Sequence, residues 1–125
     1  MPYTAVVLTK RSRFELLNFL GKSEETQIPE DWEIIAHHMT MKFGANSHKH
    51  ERQSELLTID AIGQTDKVIA VRVNAGGHLS TNDTPHITIA VDRANGGKPV
   101  QSNNILNWTK LENPPTLMGT IEICK

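Results

Sequence analysis

The spacing of apolar and polar positions changes several times along the chain, and each change marks an element. Residues 3–9 are apolar and rich in strand formers, and predict a first strand. Beyond them Ser12 and Glu15 have the form of a capping box, followed by Leu16, Leu17, Phe19 and Leu20. A helix is expected at about residues 12–20, with Gly21 as its stop. Residues 22–31 read as a polar loop. Residues 32–43 then alternate with the period of a strand: Ile35, His37, Met39, Met41 and Phe43 point one way, His38, Thr40 and Lys42 the other.

Residues 44–53 are polar, carry His48 and His50, and predict a surface loop. Residues 54–62 and 67–73 are two further strands, joined by a hairpin-like turn at Gly63-Gln64-Thr65-Asp66. Residues 74–84, rich in Gly, Asn, Ser and Thr, form a loop. Alternation resumes at residues 86–92, with Ile87, Ile89 and Val91 opposite His86, Thr88 and Ala90; Pro85 stands where a strand tolerates proline. Asn95-Gly96-Gly97 is a turn, Ser102 is placed to cap a short helix through Trp108, and residues 116–123 form a last strand after Pro114-Pro115. No low-complexity linker interrupts the pattern, so residues 1–125 are expected to form one domain of the α+β class.

Two of the expected strands carry the same four-residue pattern. His38-Met39-Thr40-Met41 and His86-Ile87-Thr88-Ile89 are each histidine, apolar, threonine, apolar, 48 positions apart. In a strand the histidine and threonine share one face and the apolar pair the other. One such pattern alone reads as the solvent face of a strand. Two should arise by chance on the order of once in a thousand sequences of average composition. Phosphodiester chemistry suits the duplication. One group must take a proton from the attacking oxygen while a second gives one to the leaving oxygen, and imidazole does either near neutrality. The threonine hydroxyls, two residues on, can donate to non-bridging phosphate oxygens. A bell-shaped pH profile with an optimum near neutrality is expected.

Composition narrows the partners. The net charge is −1, from 13 basic and 14 acidic residues, so a polyanion must be held by a local site rather than by bulk attraction. Cys124 is the only cysteine, which excludes an intrachain disulfide and a cysteine-based zinc site and suits a reducing compartment. Neither a signal-peptide pattern nor a membrane-spanning apolar run is found, and a cytoplasmic location is expected.

The paired motifs resemble those of the two-histidine phosphoesterase superfamily, which includes the cyclic phosphodiesterases and the proteins called 2′-5′ RNA ligases. The short length, Tyr3-Thr4-Ala5-Val6-Val7-Leu8, Ala36-His37-His38-Met39-Thr40-Met41, and Gly97-Lys98-Pro99 with Ser102-Asn103 are most similar to its compact RNA-repair-like branch. The resemblance implies a bilobal α+β fold with pseudo-twofold symmetry, antiparallel sheets, flanking helices and a central cleft. It implies catalysis without metal or cofactor, with His38, Thr40, His86 and Thr88 in the catalytic and phosphate-binding positions. It also implies RNA ends or nucleotides with a cyclic or 2′-linked phosphate as substrates, with RNA ligase modules as companions. A monomer is expected.

The leading reaction is hydrolysis of a 2′,3′-cyclic phosphate or a related 2′-linked phosphodiester. The alternatives are hydrolysis of cyclic oligonucleotide or 2′-5′ oligoadenylate signals, and a non-catalytic RNA-end binder. Lys98, Ser102 and Asn103 follow a Gly-Gly turn at an expected helix start and are candidates for phosphate binding, weighed evenly against a capped surface helix. Tyr3 is a candidate for stacking on a base, against packing at a sheet edge. His37 should point away from His38 and be structural. His48 and His50, with His37, lack a carboxylate at ligand spacing and make a poor metal set. His78 is read as a surface residue.

Overall fold

A computed structural model describes residues 3–23, 27–43, 52–76 and 79–124. The chain runs β1 (Tyr3–Leu8), α1 (Lys10–Lys22), β2 (Glu33–Ile34), β3 (His38–Phe43), β4 (Ser54–Gln64), β5 (Val68–Val73), β6 (His86–Val91), a 3₁₀ turn (Arg93–Asn95), a 3₁₀ helix (Pro99–Asn104), β7 (Trp108–Lys110) and β8 (Thr116–Cys124). The class is α+β, dominated by strands.

Every strand pairing is antiparallel. Six strands follow one another in the order β6-β3-β1-β8-β4-β5, and β5 pairs back onto β6. The sheet therefore closes into a six-stranded barrel rather than standing as two separate sheets. The inward-facing apolar residues, among them Val6, Met39, Leu57, Val71, Ile87, Ile89 and Ile121, form its core. Full burial of each such side chain contributes about 1.5–3 kcal/mol.

The expected strand over residues 32–43 is broken. β2 and β3 both lie along β6, Glu33 opposite Val91 and Met39 opposite Ile87, but residues 35–37 between them leave the ladder. Ala36 takes φ 41°, a left-handed conformation that costs an L-residue on the order of 1–3 kcal/mol. The surroundings hold it there. Ile35 N–H donates to Ile89 O at 2.7 Å, Ala36 N–H donates to Thr88 O at 3.0 Å, and the Ala36 side chain is fully buried.

Helix α1 starts a turn earlier than its capping-box reading. Thr9 is the N-cap, its Oγ1 accepting from Ser12 N–H at 3.1 Å. Ser12 is buried, and its Oγ accepts from Met118 N–H at 2.7 Å, which ties the helix to β8. Glu15 pairs with Arg11 at 2.9 Å instead of reaching back to the cap. The helix passes through Gly21 and is capped by Ser23, whose N–H donates to Leu20 O. Its buried face, Leu16 and Leu20, joins the barrel core. No helix among the described residues is long and apolar enough to cross a membrane.

The expected helix from Ser102 to Trp108 is replaced by the 3₁₀ helix at Pro99–Asn104, with Ser102 buried inside it, and Trp108 opens β7. Just before it, Gly97 passes so close to β6 that a Cβ would stand 2.7 Å from both Asp92 N and Lys67 O. Only glycine lets the chain fold down there onto the outer face of β6.

Candidate active site

The single ladder contact between β3 and β6 sets Met39 opposite Ile87, both fully buried in the core. Extending that antiparallel register sets His38 across from Thr88 and Thr40 across from His86. Alternation then puts all four motif side chains on the outer face of the barrel wall. On β1, Tyr3 shares that face. These five residues line one cavity of about 280 Å³, together with Ile35, Asn82, Pro99, Val100 and Asn103. The 3₁₀ helix supplies one wall, and Asn82, from the loop before Pro85, part of the rim.

His86 is held firmly. It is 8% exposed, and its Nδ1 lies 2.8 Å from Thr84 O. A carbonyl only accepts, so Nδ1 carries a proton and Nε2 is the nitrogen left for substrate. Thr88 is equally fixed. Its Oγ1 lies 2.8 Å from Ser102 Oγ and 3.4 Å from Pro99 O. The pattern that satisfies both is donation from Thr88 to Pro99 O and from Ser102 to Thr88. Thr88 therefore lines the cavity with a hydroxyl that already has partners, and donation to a phosphate would require it to release the longer contact to Pro99.

The β3 half is looser. Among the described residues the Thr40 hydroxyl has no hydrogen-bond partner, while its carbonyl accepts from Ser80 Oγ at 2.8 Å. The Tyr3 ring lies 5.1 Å from the His38 ring, tilted by 38°. Burial, with Cys124 alongside, raises the Tyr3 pKa. His38 Nδ1 lies 3.0 Å from His37 Nδ1, with the two rings edge to face. That contact corrects the expectation that His37 turns away from His38. Strict alternation does not extend across the left-handed turn at Ala36, so His37 stands just outside the ladder and beside its neighbour. Burial, with His37 and His86 nearby, pushes the His38 pKa down from 6.5 to about 4. His38 is neutral at pH 7.

Of the remaining sequence candidates, Asn103 lines the cavity and Ser102 backs Thr88 from beneath. Lys98 is exposed, stands at the N-cap of the 3₁₀ helix with its N–H donating to Gln101 Oε1, and is not among the cavity residues. The capped-surface reading fits it better than phosphate binding. His48, His50 and His78 lie outside the described residues. Among the described residues no group of three His, Cys, Asp or Glu is placed to hold a metal ion. The sequence reading did not single out Asn82, Ile35, Pro99 or Val100. Asn82 had a weak signal, in a polar loop three residues before Pro85-His86. Pro99 and Val100 take part because the chain folds back over β6, and Ile35 because the strand breaks beside β6.

No formally charged side chain stands among the described residues that line the cavity. An anion there would find its positive partner in a protonated imidazole, alongside neutral donors from Thr, Asn and Tyr. No family model, curated protein or solved structure matches the chain.

Proposed function

We propose that this chain is a phosphoesterase that hydrolyses a 2′,3′-cyclic phosphate or a related 2′-linked RNA-type phosphodiester, with His38 and His86 as its acid–base pair. The observation that carries the reading is the placement of both repeats of one motif, across a single ladder register, on the wall of one cavity. A local twofold axis through the Met39–Ile87 pair relates the repeats. This is our counterpart to the pseudo-symmetry that the two-histidine resemblance implies.

The environments of the two imidazoles suggest their roles. His38 is neutral and, in the tautomer that turns Nδ1–H toward His37 Nδ1, can take the proton of an attacking water at Nε2. His86 donates Nδ1–H to Thr84 O, which leaves Nε2 facing the cavity as the nitrogen that hands a proton to the leaving oxygen. In the in-line step, water oxygen bonds to phosphorus as His38 removes its proton. The bond from phosphorus to O3′ breaks as His86 Nε2–H protonates the departing oxygen. One oriented cleft gives one product isomer, a 2′-phosphate with a free 3′-hydroxyl. The cavity, about 280 Å³, is just below the roughly 300–1,000 Å³ range of drug-sized ligand pockets and suits one phosphate with its ribose.

The test is a substrate panel with EDTA present: cyclic-phosphate mononucleotides, cyclic-phosphate RNA ends, 2′-5′ oligoadenylate and cyclic dinucleotides. Turnover of the first two to a single isomer is the expected result. Activity restored only by added zinc or manganese, or an equal mixture of 2′- and 3′-phosphates, would refute the two-histidine mechanism in one oriented cleft.

A further inference from the structure

Beside the active-site cavity lies a second hollow of about 300 Å³, lined by Thr81, Asn82, Asp83, Thr84, Ser102 and Asn103 among others. Asn82 and Asn103 line both cavities and so form the ridge between them. The second hollow also reaches the supports of the catalytic strand. Thr84 supplies the carbonyl that takes His86 Nδ1–H, and Ser102 supplies the hydroxyl bonded to Thr88. An occupant would touch the residues that hold the motif on β6 in place.

The lining indicates what that occupant is. Asp83 is the one charged side chain among the described residues of the second hollow. A carboxylate repels a phosphate but accepts hydrogen bonds, and a nucleoside offers donors in its ribose hydroxyls and exocyclic amino groups. The threonine hydroxyls can donate or accept. On the ridge, neutral amides can donate to a phosphate that crosses it. The sequence of chemistry is thus a phosphate site, a neutral donor ridge and an acceptor-bearing hollow, which matches a phosphate, a linking phosphate and the next nucleoside.

We propose that the second hollow binds the nucleoside on the 5′ side of a terminal 2′,3′-cyclic phosphate, so that an oligoribonucleotide end is preferred over a free mononucleotide. The assignment rests on the phosphodiester reading of the first cavity and adds its substrate class. Asp83 is exposed and lines the second hollow alone, so its replacement tests the subsite without touching the catalytic groups.

The experiment compares adenosine 2′,3′-cyclic phosphate with adenylyl-(3′→5′)-adenosine 2′,3′-cyclic phosphate, for the unaltered protein and for Asp83→Ala. The dinucleotide is expected to have kcat/KM about tenfold higher, chiefly through KM, the ratio set by one good contact of about 1.4 kcal/mol. Asp83→Ala is expected to remove most of that advantage and leave the mononucleotide unchanged. Equal kcat/KM for the two substrates, or equal loss on both in Asp83→Ala, overturns the subsite. If neither substrate is turned over, the phosphodiester reading fails and binding of the two uncleaved compounds decides the subsite separately. Tighter dinucleotide binding that Asp83→Ala abolishes retains it; equal binding removes it.

Discussion

The two copies of the motif share a pattern and differ in almost everything around it. On β6, His86 and Thr88 are each 8% exposed and bonded to protein partners: Thr84 O for one, Ser102 Oγ and Pro99 O for the other. On β3, Thr40 has no hydroxyl partner among the described residues, and His38 leans on Tyr3 and His37 at a strand end next to a strained turn. The difference follows from what covers each strand. β6 lies between β5 and β3 and beneath the 3₁₀ helix, whereas β3 enters the ladder directly after the left-handed turn. Equal pattern with unequal cover gives unequal surroundings: an imidazole fixed by a carbonyl at Nδ1, and a neutral one in contact with two aromatic rings.

The strongest way to break this comparison is to remove each imidazole in turn. His86→Ala and His38→Ala should each lower kcat by about 10²–10⁴-fold, the range for a positioned acid or base, with the fold intact by circular dichroism. Because the two act in one event, the double variant should be little worse than either single one. Near-full activity in either single variant would remove that histidine from the mechanism. Losses that multiply in the double variant would show that the two act in separate steps.

The next test uses pH. On the acid side activity should fall as His38 gains a proton. With His38 at about 4, the acid limb moves well below the neutral optimum that unperturbed imidazoles would give. Stability has the same origin. The folded pKa of His38 lies below the unfolded value, so the unfolded chain binds the extra proton between about 6.5 and 4. Stability from this group is complete above 6.5 and is lost as pH falls toward 4, by at most about 3 kcal/mol at 1.36 kcal/mol per pKa unit. In chemical denaturation His38→Gln should flatten that part of the profile. Identical pH slopes for the two proteins would mean that His38 titrates normally.

Much of this asymmetry lay outside what the residues alone reveal. The pattern of residues 86–92 gave β6 and its facing, because every position there obeys one period. The same reasoning failed over residues 32–43, since alanine rarely takes φ above zero and nothing about Ala36 signals a turn. With the turn went the facing of His37. The capping-box pattern put the helix start at Ser12, but the structure caps it at Thr9, and only the pairing with β8 shows that Ser12 is spent on Met118. Barrel closure was equally hidden. Alternation tells which face of a strand is buried but not which strand lies beside it, and the β5–β6 and β3–β6 ladders are choices of partner. For that reason the bonds of Thr88 to Ser102 and Pro99 could not be anticipated.

The threonines sharpen the contrast at a smaller scale. Thr88→Val leaves Ser102 Oγ buried without its partner and should cost about 1–3 kcal/mol of stability as well as activity. Thr40→Val removes a hydroxyl that has no partner among the described residues, so stability should change by less than about 0.5 kcal/mol. Its kcat should still fall about tenfold or more if the hydroxyl donates to the phosphate, since bonds to charged groups contribute about 1.5–3 kcal/mol. Thermal melts and steady-state kinetics on the pair separate the cases. Equal melting losses for both variants would erase the distinction between a bonded and an open threonine.

The smallest expected effect belongs to His37, which the strand pattern assigned to the far side. If it accepts Nδ1–H from His38, it fixes the tautomer that presents Nε2 to water, and its loss should lower kcat with little change in KM. His37→Ala should cost about two- to tenfold, the scale of a neutral hydrogen bond of about 0.5–1.5 kcal/mol. His37→Gln can still accept at its amide oxygen and should recover part of the loss. The acid limb adds a readout that packing alone would not move. His37 is the second cause, after burial, of the low His38 pKa, so its removal should shift that limb upward toward the ordinary imidazole range while burial still holds it below. A His37→Ala variant with reduced kcat but an unmoved acid limb would make His37 a packing neighbour rather than the residue that orients His38.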